Sequence, residues 1–327
     1  MRPTIVLSVT AVLSVAALAR PLARVDQAAG PEPAALVVTL LGTGNPRPSI
    51  DRFGPSILVE AGTRRILVDA GRGNTQRLFA IDQRTTMTAI ELVLLTHLHS
   101  DNVVGLPDLW LTSWLFGRQR PLAVRGPSGT AALCSHLEAA FSADLAFRSR
   151  DEGLAPGAAQ LDARDVEPGV VYEQDGLRVT AFAVDHGGGI EPAYGYRVDY
   201  RGRSVAFSGD TRYFEPLVEH ARGVDVLVHE VISPEAELRH AQVQGPRAIE
   251  RVIAHHATPE QVGTIFSRVR PRLAVYSHIV PSPATAEDLV GPTRRTYDGP
   301  LQVGYDLMTI AIGSTIDVYP RATTHEK

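Results

Sequence analysis

A short polar segment carries the residues of this chain that are best suited to chemistry. His97, His99 and Asp101 lie within five residues, directly after the apolar run Leu92–Leu95. Imidazole nitrogens and carboxylate oxygens are the ligands that zinc and its first-row neighbours take in proteins. Because His97 and His99 are two residues apart on an irregular turn, both can face one point. The spacing therefore predicts part of a metal site.

Further histidines and aspartates follow other apolar runs. His186 comes after residues 177–184, Asp210 after 204–208, and His278 after 273–276. Strand ends on one rim of a sheet are where open α/β architectures place their chemistry. We therefore expect these side chains to join the first cluster.

The elements that must position these residues can be predicted from the apolar pattern. Strands are predicted over 36–41, 56–60, 65–69, 91–95, 122–125, 171–173, 177–183, 194–200, 204–208, 224–228 and 273–276, and helices over about 75–81, 103–116, 130–142 and 259–270. Residues 144–170 are mixed and rich in charge, glycine and proline, which predicts a surface excursion. The whole pattern predicts an α/β (α+β) fold with two packed sheets and outer helices.

Composition limits the possible classes of protein. The 327 residues are 44% hydrophobic, which is enough for one large domain or two small ones. The net charge is −4 and the pI is near 6.3. Because nucleic-acid binding usually needs a basic face, we expect no nucleic-acid partner, although a local basic patch stays possible. The single cysteine, Cys134, rules out a disulfide within the chain.

The first residues have the pattern of an export signal. Arg2 precedes an apolar run over residues 5–19, which ends in the small-x-small sequence Ala17–Ala19. This run is shorter than the roughly 20 residues of a membrane span, although an uncleaved anchor or a first helix are alternatives. We predict an export signal at 1–19, a flexible leader at 20–34, a single domain at 35–315 and a tail at 316–327. The mature protein would be periplasmic or secreted, without a membrane span, and a homodimer is possible.

Several motifs together resemble a known family. The segments Thr96–Asn102, Asp185–His186, Ser208–Thr211 and Ser277–His278 resemble the metallo-β-lactamase fold hydrolases, in particular the branch of ribonuclease Z and the metal-dependent arylsulfatases. Supporting segments are Leu41–Gly44, Val68–Gly71, Gly126–Thr130, Val228–Glu230 and His256–Glu260. The resemblance covers roughly residues 36–312. It implies a four-layer αββα sandwich with a two-metal site at one rim of the sheets.

The resemblance also implies the ligands. Site one would consist of His97, His99 and His186, and Asp210 would bridge to site two, which adds Asp101 and His278. The family usually has histidine after Asp101, whereas this chain has Asn102.

An amide oxygen is a harder and weaker ligand than an imidazole. One or two zinc ions are therefore expected. With Asn102 as a weak ligand, site two is predicted to be weakened but usable, to prefer manganese, or to be impaired.

The chemistry implied by this site is hydrolysis. A bound metal lowers the pKa of water towards about 7 and stabilises charge that develops in the transition state. Asp101 is expected to orient the attacking water. His256 and Glu230 match positions near the leaving group, with His256 as proton donor and Glu230 as its support. The alternative for His256 is a polar residue at the start of the helix that follows.

The substrate expected from these features is a small ester. An exported hydrolase of a phosphodiester or aryl sulfate ester is the leading hypothesis, and a β-lactam or lactone is the alternative substrate. Ribonuclease Z activity fits less well, because its transfer-RNA precursor is cytoplasmic and the family's basic arm is not evident. A non-catalytic metal-binding or ligand-binding protein, with site two weakened by Asn102, is a further alternative.

Overall fold

The computed structural model describes residues 34–240 and 245–320. The predicted export signal and nearly all of the predicted leader fall on residues 1–33, outside the described residues, and both stay predictions. Across the described part of the chain, no helix has the length and apolarity needed to cross a membrane.

Two sheets form the centre of the structure. The strands of the first sheet are β1 (Leu36–Gly42), β2 (Ser56–Ala61), β3 (Arg64–Val68), β4 (Leu92–Leu94), β5 (Leu122–Gly126), β6 (Leu161–Asp165), β14 (Met308–Ile312) and β15 (Ile316–Pro320). Those of the second are β7 (Gly169–Gln174), β8 (Leu177–Val184), β9 (Ala193–Tyr200), β10 (Arg203–Phe207), β11 (Val226–Ile232), β12 (Leu273–Val280) and β13 (Leu301–Val303). The strand orders are β15-β14-β1-β2-β3-β4-β5-β6 and β13-β12-β11-β10-β9-β8-β7.

Helices accompany both sheets. They are α1 (Asn74–Asp82), α2 (Thr85–Ala89), α3 (Ser100–Val103), α4 (Leu106–Leu115), α5 (Thr130–Ala140), α6 (Ser142–Asp151), α7 (Leu217–His220), α8 (Pro234–His240), α9 (Pro246–His255), α10 (Pro259–Val269) and α11 (Ala286–Thr293). A 3-10 turn spans Pro156–Ala159.

Three apolar clusters define the layers. The first lies between the sheets and joins residues such as Val38 and Ile310 of one sheet to Val198 and Val228 of the other. The second packs the outer face of the second sheet against α7, α10 and α11. The third packs the outer face of the first sheet against α1, α2, α4 and α5. The predicted four-layer αββα sandwich is confirmed.

The central strands explain why the sequence folds this way. All eight residues of β12 are buried, as expected for a strand that has parallel neighbours and helices on its outer face. The strand β8 alternates between buried and exposed positions over most of its length, which fits an antiparallel strand near the edge of its sheet. The helix α10 starts in a capping box between Thr258 and Gln261, with Pro259 at its first position.

The predicted surface excursion at 144–170 is wrong in part. These residues contain most of α6, the 3-10 turn, β6 and the start of β7. The sequence of β6 is polar, but the strand pairs with β5 at the edge of the sheet, so backbone hydrogen bonds hold it. Other elements were not predicted either, namely the helices α2, α3, α7, α8, α9 and α11 and the strands β13, β14 and β15.

The predicted tail at 316–327 also begins too early. Residues 316–320 form β15, an edge strand paired with β14. The side chains of Ile316 and Val318 pack against the cluster between the sheets, which explains why this polar-looking segment is ordered into the sheet. The other domain boundaries stay predictions.

Candidate metal centre

Three histidines converge at one rim of the sandwich. His97 and His99 follow β4, and His186 follows β8. One ring nitrogen of each lies within 4.8 Å of the other two, and Nε2 of His186 is 3.3 Å from Nδ1 of His99. The ring centroids are 4.6–5.0 Å apart, with the planes inclined by 69–73°. The structure therefore brings the residues predicted for site one together around a common point.

A buried carboxylate holds the loop that carries His97. Asp69, directly after β3, accepts the backbone N–H of Thr96 at 2.8 Å and its hydroxyl at 2.9 Å. The Thr96 hydroxyl lies 3.0 Å from Nδ1 of His97, which leaves Nε2 free for a metal. A Cβ on Gly71 would lie 2.6 Å from the carbonyl oxygen of Asp101, so glycine is required where the exit of β3 packs against this loop.

The helix α9 orients the third histidine. Nδ1 of His186 donates a hydrogen bond to the carbonyl oxygen of His255, the last residue of α9, at 3.0 Å. Nε2 of His186 therefore faces the cluster, as a metal ligand held by a hydrogen bond to its other nitrogen would.

An acidic half-site adjoins the three histidines. Asp210 follows β10, and its Oδ2 lies 3.6 Å from Nε2 of His97, 4.0 Å from Nε2 of His186 and 3.1 Å from Nε2 of His278. Oδ2 of Asp101 lies 3.3 Å from the same nitrogen of His278. Asp210 therefore stands between the two groups, the position predicted for a bridging ligand.

A bulge aims His278 into the site. The predicted strand ended at residue 276, but β12 continues to Val280 and contains His278. Pairing with β11 shifts between the pair His229–Tyr276 and the pair Val231–Ile279, so β12 has one extra residue there. His278 has a φ of 44°, a left-handed conformation that is uncommon for histidine. Bulges next to active sites often redirect a side chain in this way.

Asn102 lies buried beside site one. Its Nδ2 is 3.4 Å from Nε2 of His97, and its Oδ1 is buried without a hydrogen-bond partner among the described residues. The amide oxygen, the only atom of Asn102 suited to bind a metal, is thus not the atom that faces His97.

The predicted pair of His256 and Glu230 also meets at this site. Nδ1 of His256 lies 3.1 Å from Oε2 of Glu230, and Oε1 of Glu230 accepts the backbone N–H of Ala257 at 2.8 Å. A ligand atom of His256 lies within 4.8 Å of those of Asp210 and His278. The structure therefore brings together all the site residues that the sequence predicted, while their individual roles stay predictions.

Burial and neighbouring charges shift the pKa values of the site residues in opposite directions. Burial and neighbouring histidines lower the pKa of His186 to about 3, and burial lowers the pKa of His97 well below its usual value, so both rings are neutral at pH 7. Burial also lowers the pKa of His278, but Asp210 and Asp101 outweigh it and raise that pKa to about 10. Burial raises the pKa of Glu230 to about 7.

The donor set fits metal ions. Neutral imidazoles are the form that binds metal, and three of them converge on one point beside a carboxylate. Oδ1 of Asn102 beside the cluster is buried without a hydrogen-bond partner among the described residues, which is unusual unless a water or ligand satisfies it. The predicted metal binding is therefore supported, whereas zinc or manganese as the identity of the ion stays a prediction.

The cluster opens into a pocket of about 190 Å³. Its far wall contains Asn45, Arg47 and Glu237, which sequence reasoning missed. Nη1 of Arg47 donates to Oε2 of the fully buried Glu237 at 2.8 Å, and Oδ1 of Asn45 accepts the backbone N–H of Arg47 at 2.9 Å. The contact of Arg47 with Glu237 joins segments 190 residues apart, so no local sequence signal could have revealed it.

Comparison with known proteins gives close matches to one enzyme group. The chain is 32% identical over 291 residues to ribonuclease Z of Mycobacterium bovis (strain BCG / Pasteur 1173P2), an alignment that covers 88% of this chain and 99% of that protein. It is 34% identical over 280 residues to ribonuclease Z of Mycobacterium avium (strain 104), with 84% and 98% covered.

Solved structures show the same fold. The metallo-β-lactamase fold protein YhfI from Bacillus subtilis superposes with a TM-score of 0.63 at 15% identity, covering 87% of this chain and 99% of that one. Human tRNase Z, short form, superposes with a TM-score of 0.61 at 20% identity, covering 84% and 99%. At these identities the likeness shows the fold alone.

These relatives overturn two predictions. The prediction of a small phosphodiester or aryl sulfate ester as the substrate is wrong, and so is the prediction of no nucleic-acid partner, because the similar proteins are ribonucleases. The alternatives of a β-lactam or lactone substrate and of a non-catalytic protein are wrong for the same reason. Net charge was a poor guide, because phosphate binding needs only a local basic surface. Export itself, localisation and the homodimer are untested and stay predictions.

The family match spans most of the site. The model of the β-lactamase superfamily domain matches residues 64–279, which include every residue predicted as a metal ligand. The chain is a metal-dependent hydrolase by this membership and by its histidine and aspartate cluster. It belongs to the β-lactamase superfamily and, within that superfamily, to the ribonuclease Z branch.

Proposed function

We propose that this protein is a metal-dependent phosphodiesterase that cleaves RNA, with precursor transfer RNA as the substrate class. The observation that carries the proposal is the identity of 32% to a ribonuclease Z over 99% of that protein's length. The clustered site described above supports it, because phosphodiester hydrolysis needs ions held beside an attacking water.

Different residues of the chain would hold the ions and orient the attacking water. His97, His99 and His186 would hold one ion, and Asp210 would contact both sites. When bound, the ions supply positive charge for the phosphate oxygens and make water a nucleophile near pH 7. Asp101, whose Oδ2 lies 3.3 Å from Nε2 of His278, would orient that water.

The far wall of the pocket suits a polyanion. The side chain of Arg47 is 34% exposed, whereas that of its partner Glu237 is fully buried. Two of its five N–H groups are used on Glu237, which leaves donors for a substrate phosphate. We propose that Arg47 binds a phosphate next to the scissile one, so that RNA is bound better than a small diester.

The test is cleavage of a precursor transfer RNA that carries a 3′ trailer. Expected is one main cut near the end of the acceptor stem, dependent on added zinc or manganese and lost with a chelator. The matched control is His97→Ala, which removes a predicted ligand. Hydrolysis of bis-p-nitrophenyl phosphate without any RNA cleavage would contradict the RNA substrate while leaving the metal-dependent hydrolase intact.

A further inference from the structure

Asn102 leaves the acidic half-site short of an imidazole. Asp101, Asp210 and His278 supply two carboxylates and one ring nitrogen, with Oδ2 of each carboxylate within 3.3 Å of Nε2 of His278. Asn102 stands where the family usually has that imidazole, and its amide nitrogen contacts the three-histidine half, 3.4 Å from Nε2 of His97. Three protein ligands leave a fourth position of a tetrahedral set, which the family usually fills with a second imidazole and which water or another side chain can fill here.

His256 is in the right place to be that donor. A ring nitrogen of His256 lies within 4.8 Å of the ligand atoms of Asp210 and His278. The rings of His256 and His278 are nearly parallel, with centroids 5.6 Å apart and planes inclined by 25°. His256 caps α9 with an extended backbone, at φ −125° and ψ 167°, so the chain leaves the helix at this residue.

Glu230 gives His256 the surroundings of a metal ligand. Metal-binding histidines usually donate their second ring N–H to a carboxylate or carbonyl group. Nδ1 of His256 meets Oε2 of Glu230 at 3.1 Å, while the other oxygen of Glu230 is held by the N–H of Ala257. This arrangement leaves Nε2 of His256 for the half-site and restricts rotation of the ring.

We propose that His256, and not Asn102, supplies the second imidazole of the acidic half-site, together with Asp101, Asp210 and His278. The protein then binds two ions despite the Asn102 substitution, and His256 is a ligand instead of the predicted proton donor. The inference rests on the proposed metal-dependent function but not on the RNA substrate.

The experiment measures zinc per chain by elemental analysis after dialysis against buffered free zinc. Wild type and Asn102→Ala are each expected to hold about two ions, and His256→Ala about one. In the His256→Ala background, Asn102→His should restore the second ion, because it returns an imidazole to the neighbouring position. His255→Ala is the matched control and keeps both ions, since the backbone carbonyl that holds His186 remains and the His255 ring, which contacts His186 edge-on, belongs to neither cluster of ligand atoms.

A second variant guards against misfolding. Glu230→Gln keeps the shape of the side chain and is expected to weaken the second zinc by roughly 10- to 100-fold in a calorimetric titration, leaving the first unchanged.

Three results would overturn the proposal: one ion in wild type, loss of the second ion in Asn102→Ala, or two ions in His256→Ala. Because metal content is measured without substrate, absence of RNA cleavage alongside the expected metal pattern would count only against the RNA activity.

Discussion

The two halves of the site are built on different electrostatic principles. The three-histidine half consists of imidazoles whose pKa values burial lowers, and two of them, His97 and His186, are oriented by hydrogen bonds outside the cluster. The acidic half consists of two carboxylates around His278, whose pKa they raise to about 10. The first half is therefore prepared for a metal, whereas the second is held together by an internal ion pair until a metal replaces the proton.

This difference also has a structural origin. His97 and His99 lie on a loop that β3 and β4 hold through backbone and carboxylate contacts. His278 depends on a bulge in β12, and its Nδ1 is buried without a hydrogen-bond partner among the described residues. Ligands of the same residue type can therefore differ in how strongly the fold fixes their positions.

The largest expected effect comes from breaking both halves at once. Asp210→Asn removes the carboxylate shared by the two halves and is expected to lower hydrolysis of RNA and of small diesters by about 10³-fold or more. Initial rates at saturating zinc measure it, with circular dichroism as the control for folding. Retention of more than about a tenth of the activity would show that the two halves work independently.

Separate replacement of one histidine from each half tests the electrostatic difference. Without metal, His278→Ala leaves two buried carboxylates unpaired and should lower the free energy of unfolding by about 3 kcal/mol. His186→Ala removes a neutral ring and should cost about 1 kcal/mol. Urea denaturation of the metal-free proteins at pH 7 measures both, and equal losses would argue against an ion pair in the acidic half.

The support beneath the three-histidine half can be removed on its own. Asp69→Ala leaves the buried backbone N–H of Thr96 without its acceptor and is expected to lower the free energy of unfolding by about 2 kcal/mol. It should also weaken the first zinc more than the second, because the loop that carries His97 loses its anchor. Calorimetric titration with zinc compares the two affinities. Thr86→Ala, which removes a buried hydroxyl that donates to Asp82 away from the site, is the control for loss of a buried hydrogen bond.

The smallest expected effect concerns the pocket wall opposite both halves. The double variant Arg47→Gln with Glu237→Gln removes both charges without leaving one buried alone. It should lower kcat/KM for precursor RNA by about tenfold, which corresponds to one lost phosphate contact. Hydrolysis of bis-p-nitrophenyl phosphate should be unchanged. An equal loss of activity on both substrates would show that Arg47 and Glu237 only stabilise the structure.

Local sequence was sufficient to predict the fold class and the ligand types. The strands β4 and β10 could be predicted because strands buried on both faces are rich in apolar side chains. The polar residues that follow these strands were therefore expected at the rim of a sheet. Sequence reasoning failed where pairing overrides composition, as in the polar strand β6, or where a helix such as α9 buries little of its length.

What the sequence determined by itself was the residue types of the candidate ligands, their place after strands and the departure at Asn102. Only the tertiary structure decided which atoms meet. The bulge that turns His278, the contact of His256 with Glu230 across 26 residues and the approach of Arg47 to Glu237 across 190 depend on pairing between distant strands and helices. Side-chain periodicity is a local property, whereas the convergence of ligands within a few ångströms is set by how the two sheets pack.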